Sequence, residues 1–443
     1  MLHPFQSVLL NRDGSLLFCV VKNEIKAFKR DGNAYVTCGE WVDDLDKTSL
    51  IQEKVVMEQK RQLTENAAKK LKTNDGESVP QPKKKAKVPK PGVGAPPVYQ
   101  YIRNLGLSRN GKMLLGCTDS DKAAVIFDID LDNDKNILKL IKRQPYPKRP
   151  NAITTSIDDK DLILADKFGD IYAMPIQNDV VSSINEEQAP ISGHVSMLTD
   201  VNMVKDSEGK QYLISTDRDE HIRISHYPQT FIVDKWLFGH EEFVSTVCVP
   251  EWSDKLILSA GGDKYIFSWN WKAGTLLFKF DYSDLIEKFL TDDHLAPGRF
   301  QNEQGNIIEY SVSKIVTLKN LPYITFFVEA TKILFVLKVD VDTGSLSFHQ
   351  SLEFQDKIVS LASAQDANTL CISLDNRENQ EADLIKLLSL EGDKFVEQMD
   401  TNSNLAKTIR SALESDPVAN VELDEIYPLY NSLSMRKHGE HFS

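Results

Sequence analysis

A few histidines have the residue types for metal chemistry, and their spacing limits what they could do. The segment "HEEF" at 240–243 starts like a zinc-protease motif but lacks the second histidine that would complete the site. His221 and His226 are five residues apart, so on one strand they point to opposite faces and cannot share a metal ion. His438 and His441 could chelate a metal, although their position in a terminal tail explains them equally well.

Cofactor and nucleophile chemistry has no better support in the sequence. Methyl or hydride transfer calls for a glycine-rich turn between a strand and a helix. The candidate glycines, Gly92 and Gly94 in "KPGVGAPP", lie among prolines and open no helix. Neither a GxSxG elbow nor a GxxxxGK[ST] phosphate loop occurs. The sequence therefore predicts no catalytic, metal-binding or cofactor-binding residue in this chain.

Charged residues and histidines crowd the stretch "TDRDEHIRISHY" at 216–227, which lies between apolar runs. It predicts a turn followed by a strand, with Ile222 and Ile224 on one face and His221, Arg223 and Ser225 on the other. Two roles stay open for Arg223: a solvated or intrasheet contact, or contact with a partner.

The composition is that of a soluble globular protein. The 443 residues are 41% hydrophobic and 26% charged, and they contain no apolar run long enough to span a membrane. The N-terminus lacks the pattern of a signal peptide, and the five scattered cysteines predict reduced thiols in the cytosol or nucleus. A net charge of −13 argues against nucleic-acid binding by the whole surface.

Domain organisation follows from where apolar runs are missing. Residues 43–97 are rich in Lys, Glu, Gln, Asn and Pro, and we expect a disordered insertion there. Residues 1–42 then supply the first strands and residues 98–443 the remainder of a single domain. Four lysines cluster in the insertion, and they are either a nuclear-import address or a solvated charge run: Lys83, Lys84, Lys85 and Lys87.

The spacing of repeated residues in the sequence indicates which all-β architecture the chain adopts. Outside the insertion the chain consists of short β-branched and aromatic runs separated by turn signals. The Gly-His pairs at 193–194 and 239–240 are 46 residues apart, and turn aspartates recur at 121, 170, 219 and 263. Periods in the forties predict a β-propeller, here of about seven blades, with a longer excursion between strands at 281–310.

The segment 239–272 resembles a WD repeat. The resemblance implies a buried hydrogen-bonded tetrad of His240, Ser259, Asp263 and Trp269. In the preceding repeat His194, Ser215 and Asp219 match the same pattern, while Ser225 stands in place of the tryptophan.

An ordered set of segments resembles one family over nearly the whole chain, the WD-repeat non-catalytic subunit of tRNA (guanine-N7-)-methyltransferase in its fungal form. The segments include "GAPPVYQYIRNL" (95–106), "ADKFGDIYA" (165–173), "STDRDEHIRISHYP" (215–228), "DKWLFGHEEFVS" (234–245), "DDHLAPGRFQNE" (292–303) and "MRKHGEHFS" (435–443).

The resemblance implies a non-enzymatic activator in a heterodimer. The catalytic partner would bind S-adenosylmethionine and methylate a guanosine in the tRNA variable loop, with tRNA reached through the complex and the nucleus as the main location. The partner would bind side-on to the blades that contain 165–173 and 215–228. The interface residues would be Arg223, as a cross-interface ion pair, with Lys167, Arg218, Glu220, Lys148 and Arg149. The alternatives are a generic nuclear WD-repeat scaffold and an enzyme that binds its own cofactor.

Overall fold

Seven four-stranded antiparallel sheets form the described part of the chain, in agreement with the predicted propeller. The computed structural model describes residues 1–45, 56–57, 60, 99–176 and 189–437. Most of the predicted insertion, including its four clustered lysines, lies outside the described residues. Asp43, at the predicted start of the insertion, is buried and bonds Ser120 and Arg143 of the second sheet.

Each sheet, or blade, takes its four strands from consecutive sequence. Blades 1 to 4 comprise β1 (Ser7–Leu10), β2 (Leu16–Val21), β3 (Glu24–Asp31), β4 (Ala34–Val42); β5 (Ile102–Leu107), β6 (Met113–Thr118), β7 (Ala123–Ile129), β8 (Leu138–Pro145); β9 (Pro150–Thr155), β10 (Asp161–Asp166), β11 (Asp170–Pro175), β12 (Ser192–Gly193); and β13 (Leu198–Lys205), β14 (Gln211–Asp217), β15 (Ile222–Tyr227), β16 (Val233–Leu237).

Blades 5 to 7 continue the pattern. They comprise β17 (Val244–Cys248), β18 (Leu256–Gly261), β19 (Tyr265–Asn270), β20 (Thr275–Asp281); β21 (Val312–Thr317), β22 (Tyr323–Val328), β23 (Ile333–Val339), β24 (Leu346–Glu353); and β25 (Ile358–Ala364), β26 (Thr369–Leu374), β27 (Ile385–Glu391), β28 (Lys394–Glu397). Helix α1 (Ser283–Ile286) and three short 3₁₀ turns occupy the predicted excursion between β20 and β21, and helix α2 (Met399–Leu413) follows β28. The face that carries the turn between the second and third strands of each blade is called the turn face below.

The first strand of every blade contacts the first strand of the next, and β25 contacts β1 to close the ring. Apolar residues of both faces of each sheet pack between neighbouring blades, which explains why the middle strands are almost wholly buried. No strand is exchanged between the first and last blades, since all four strands of each are consecutive.

Helix α2 seals the contact between blades 1 and 7. Leu405, Ile409 and Leu413 recur every four residues and enter the core that the two blades share. The Thr408 hydroxyl donates to the carbonyl of Tyr35 on β4, and the Asn402 side chain bonds both the N–H and the C=O of Leu387 on β27. The helix therefore holds blade 1 on one side and blade 7 on the other.

The two chain ends complete this seal. The N-terminal ammonium of Met1 donates to the carbonyl of Val421 at 2.7 Å, and the His3 N–H donates to the carbonyl of Ala419 at 2.8 Å. The chain after α2 therefore adds backbone hydrogen bonds to the closure.

A buried charge cluster lies at the same junction. Lys26 Nζ lies 2.6 Å from Glu24, 2.5 Å from Asp416 and 3.1 Å from Glu40. Glu24 is only 2% exposed, and burial, helped by a hydrogen bond with Asp416, raises its pKa to about 8. At neutral pH Glu24 thus retains its proton and donates it to Asp416.

Glu24→Gln tests this protonation. The ordinary pKa of a glutamate is 4.5, so between that value and about 8 Glu24 binds more protons in the folded state than in the unfolded one, and its contribution to stability falls as the pH rises. The Gln amide can replace the donated proton. We expect the free energy of unfolding, measured by urea titration, to fall less between pH 6 and pH 9 in Glu24→Gln, by about 1 kcal/mol or more.

The control is Glu40→Gln, which contacts the same lysine from an exposed position and should keep the wild-type decline. An identical decline in Glu24→Gln would contradict the assignment.

Candidate functional site

No metal site is formed in the part of the chain that the structure describes. No three of its His, Cys, Asp and Glu side chains are close enough together to hold an ion. His221 pairs with Asp217, and His226 lies near Asp234 at the other end of β15. His438, His441, Gly92 and Gly94 lie outside the described residues. No helix within the described ranges is long and apolar enough to cross a membrane.

The four residues expected to form a tetrad in blade 5 are joined by hydrogen bonds. His240 Nδ1 lies 2.7 Å from Asp263 Oδ2, and His240 Nε2 lies 2.8 Å from Ser259 Oγ. Trp269 Nε1 donates to the same serine oxygen at 2.9 Å. All four side chains are buried, so each bond satisfies a polar group that has no access to water.

Blade 4 contains a shorter set that corrects one prediction. His194 bonds Ser215 Oγ through Nε2, and through Nδ1 it bonds Asp217 rather than Asp219, each at 2.8 Å. Burial lowers the pKa of His194, although the contact with Asp217 partly opposes that shift. Asp219 instead accepts a hydrogen bond from Ser196 and pairs with Lys437. Ser225, at the tryptophan position, has no partner for its hydroxyl among the described residues.

A steric difference explains why the two blades use different aspartates. Asp217 pairs with Leu198 across the sheet, and the equivalent position in blade 5 is Gly261, opposite Val244. A Cβ atom on Gly261 would lie 1.8 Å from the carbonyl oxygen of Phe243, so no aspartate fits there. Blade 5 therefore takes its carboxylate from two residues further along. The histidine-to-aspartate separation of 23 residues is the same in both blades and was the signal available in the sequence.

Arg223 is buried, at 6% exposure, between blades 3 and 4. Its Nη1 donates to the carbonyl of Gly193 at 2.7 Å, its Nη2 donates to Ser192 Oγ at 2.5 Å, and Nε finds no partner in the part of the chain that the structure describes. No carboxylate of the described residues lies within 4 Å of it, and burial lowers its pKa. The guanidinium is thus a buried cation held by neutral acceptors.

The cation and the aromatic ring of blade 4 lie on opposite strands from their counterparts in blade 5. There, the aromatic ring of Phe267 is on the third strand and Lys279, directly opposite it on the fourth strand, lies 5.4 Å from the ring centre. In blade 4 the cation Arg223 is on the third strand, and Trp236 is opposite it on the fourth, with 5.5 Å between the guanidinium and the ring. The ring therefore moves from the inside of the blade to its outer edge.

Trp236 belongs to an exposed group of side chains that we call the blade 3–4 patch: Phe168, Val195, His221, Trp236 and Phe238. Trp236 and Phe238 stack with 6.3 Å between ring centres, and His221 makes edge contacts with both. Phe238 is 65% exposed and Val195 is fully exposed. The sequence patterns gave no prediction for the patch's apolar members, although Trp236 and Phe238 alternate at the end of β16 and were an available signal.

Lysines border the patch on blade 3. Lys148 Nζ lies 4.1 Å and Lys167 Nζ 5.3 Å from the centre of the Phe168 ring, and the described residues offer neither lysine an ion pair. Gly169, with φ +101°, lets the blade 3 turn pack directly on the loop before β13, because a Cβ there would lie 2.2 Å from the carbonyl oxygen of His194. Arg149 is half-buried behind this turn.

The remaining predicted interface residues lie in the turn of blade 4. Arg218 donates through Nε to the carbonyl of Met435 at 2.6 Å, and Glu220 adopts a left-handed conformation with φ 72°. The structure therefore brings Arg218, Glu220 and Arg223 to one blade, and Lys148, Arg149 and Lys167 to its neighbour.

These sheets and histidine–aspartate pairs define a seven-bladed WD-type β-propeller. Solved structures agree on the fold: the RRP9 WD40 repeats match with a TM-score of 0.55 at 11% identity, covering 84% of this chain and 88% of that one. The structure of U3-55K also gives a TM-score of 0.55, at 10% identity, covering 84% and 89%. At such identities the likeness concerns the fold alone.

Sequence comparisons place the chain in a family. The profile described as "tRNA methyltransferase TRM82 WD40 domain" matches residues 17–190 and 177–389. The chain is 78% identical, over the full length of both, to the tRNA (guanine-N(7)-)-methyltransferase non-catalytic subunit TRM82 of Kluyveromyces lactis, and 47% identical, again over both full lengths, to that of Saccharomyces cerevisiae. The chain belongs to this family of non-catalytic subunits, which confirms the resemblance and favours it over a generic scaffold.

The hydrogen-bonded sets of blades 4 and 5 predict that replacing the serine by alanine lowers stability by different amounts in the two blades. Ser259→Ala removes the acceptor of Trp269 and the donor to His240, whereas Ser215→Ala deprives only His194 of a partner. We expect Ser259→Ala to lower the free energy of unfolding by about 1–3 kcal/mol and Ser215→Ala by roughly half as much. Urea denaturation of both variants makes the comparison, since each serine is buried and loses the same atom. Equal losses would show that the tryptophan bond contributes nothing.

Proposed function

We propose that this chain binds the catalytic subunit of tRNA (guanine-N7-)-methyltransferase in a heterodimer and activates and stabilises it, so that the complex forms 7-methylguanosine in the tRNA variable loop. S-adenosylmethionine is bound by the catalytic subunit, and tRNA is engaged through the complex. Family membership supports the class of partner, and the blade 3–4 patch supports the place where it binds.

The patch carries this proposal because it combines apolar exposure with uncompensated positive charge. Exposed aromatic groups of this kind mark interaction sites, and aromatic anchors supply much of the energy of protein interfaces. Lys148 and Lys167 lie beside Phe168, and Arg223 lies beneath Trp236. We therefore propose that acidic side chains of the catalytic subunit approach these cations while its apolar residues cover the rings.

Arg223 contributes to binding of the catalytic subunit although its side chain is buried. Its two neutral hydrogen bonds fix the guanidinium, and the unpaired charge acts through a medium of low polarity, where electrostatic interactions are stronger than in water. The same bonds tie it to Ser192 and Gly193 of blade 3, so its substitution also disturbs the blade boundary. An exposed residue of the patch is for that reason the cleaner test.

Phe238→Asp tests the interface, with Phe348→Asp as the matched control on the outer strand of blade 6. Both phenylalanines are well exposed, at 65% and 47%, so neither change should unfold the chain. We expect Phe238→Asp to weaken binding of the catalytic subunit at least tenfold in calorimetry and to reduce tRNA guanosine methylation in proportion. Phe348→Asp should match wild type, and the chain alone should neither methylate tRNA nor bind S-adenosylmethionine.

Other results of that experiment are equally informative. If wild type neither binds nor stimulates the catalytic subunit, the proposed function fails. If Phe238→Asp binds like wild type, the function stands and the patch is not the interface.

We also propose that the complex acts mainly in the nucleus, with some in the cytoplasm, and that Lys83, Lys84, Lys85 and Lys87 are the import address. Changing all four to Gln should move a fluorescent fusion of the full chain from the nucleus to the cytoplasm. The control changes Lys69, Lys70 and Lys72 of the same insertion to Gln and should leave the fusion nuclear. Unchanged nuclear fluorescence in the first variant would contradict the address.

A further inference from the structure

The last described residues, 432–437, cross the turn face from blade 6 to blade 4. Ring closure does not account for this path, because the hydrogen bonds that the structure describes between this segment and the N-terminal residues reach only to Tyr427, whose N–H donates to His3 Nε2. We call residues 432–437 the C-terminal strap. Its contacts fall in three groups, one on each of three consecutive blades.

The first group is on blade 6. The Ser432 N–H donates to Glu329 Oε2 at 3.0 Å, and its hydroxyl donates to Oε1 of the same carboxylate at 2.6 Å. Glu329 lies in the turn between β22 and β23, and both residues are buried. This contact fixes the start of the strap.

The second group is on blade 5. Arg436 Nη1 lies 2.5 Å from Glu242 in the loop before β17, and Nη2 donates to the carbonyl of Gly262 in the turn before β19. The Arg436 side chain is 12% exposed, so the ion pair is shielded from much of the solvent. One side chain thus joins two loops of this blade to the strap.

The third group holds the turn of blade 4 that leads into the patch. Arg218 Nε donates to the carbonyl of Met435, and Lys437 Nζ pairs with Asp219. Within the turn the N–H groups of Asp219 and His221 donate to the Asp217 carboxylate, and Glu220 adopts the left-handed conformation that L residues disfavour. This turn positions His221 against Trp236 and Phe238.

We propose that the C-terminal strap is a brace that holds the 217–221 turn, and through His221 the patch, in the conformation that the catalytic subunit binds. The strap is thus a positioning element of the interface. This inference rests on the proposed function, because the consequence for binding requires that partner.

The test combines amide exchange on the free chain with binding of the catalytic subunit. Arg436→Ala with Lys437→Ala removes two strap contacts and leaves the backbone length unchanged. We expect hydrogen–deuterium exchange at the amides of Asp219 and His221 to accelerate at least tenfold, and affinity for the catalytic subunit to fall at least tenfold. The matched control, Lys407→Ala with Arg410→Ala on α2, removes the same two residue types and the ion pair between Arg410 and Glu381, far from blade 4, and should change neither quantity.

A charge exchange covers the case in which the double variant unfolds. Lys437→Asp alone should accelerate exchange in the turn and weaken binding, and adding Asp219→Lys should restore most of both, since the ion pair is re-formed with reversed polarity while Ser196 loses its acceptor.

The possible outcomes distinguish a failure of this inference from a failure of the proposed function. If wild type does not bind the catalytic subunit, the proposed function fails, while the exchange rates still decide whether the strap holds the turn. Unchanged exchange in the strap variants overturns the brace. Faster exchange with unchanged affinity overturns its role in binding.

Discussion

Closing a ring of seven sheets without exchanging a strand is the constraint on which the rest of this structure depends. The inner strands of neighbouring blades contact one another around the ring, and β25 meets β1 in the same way, with no strand shared between blades 1 and 7 in the described part of the chain. Further stabilisation of this junction comes from α2, which buries Leu405, Ile409 and Leu413 in the core shared by the two blades. Backbone bonds from Met1 and His3 to the chain after the helix add to it. The C-terminal segment thus stabilises the closure of the ring.

The same junction explains why a costly charge cluster is tolerated. Burying Lys26 with Glu24 and Asp416 is acceptable only because the three groups share protons and hydrogen bonds, and losing one partner would leave a buried charge uncompensated. Asp416 lies between α2 and the residues that bond the N-terminus. The cluster therefore fixes the direction in which the chain leaves the helix and passes onto the turn face.

Sequence patterns predicted the contacts that repeat from blade to blade and missed several that occur once. His240, Ser259, Asp263 and Trp269 follow a spacing shared by many blades, so their contacts were expected. Asp217 was missed because aligning the turns pointed to Asp219, and the clash that excludes an aspartate at Gly261 is visible only in three dimensions. Helix α2 went unpredicted although Leu405, Ile409 and Leu413 show its period, because a single short helix has no repeat to support it. Likewise, the alternation of residues along β15 predicted which face of the strand carries Arg223, but not how deeply its side chain is buried.

If the blade 3–4 patch binds the partner as proposed, blade 4 gains this binding surface by giving up internal packing. In blade 5, Phe267 and Trp269 stack inside the sheet and shield His240 from solvent. Blade 4 has Arg223 and Ser225 at these positions, and the ring near His194 is supplied instead by Trp236 from the outer strand. Among the described residues, the exchange leaves a serine hydroxyl and a guanidinium nitrogen without a partner and an aromatic ring partly in water, each unfavourable for an isolated blade. Such losses are expected where a surface serves binding rather than stability. A partner that covers Trp236 and approaches Arg223 with a carboxylate would offset them together, which supports the proposal that the partner binds at blade 4.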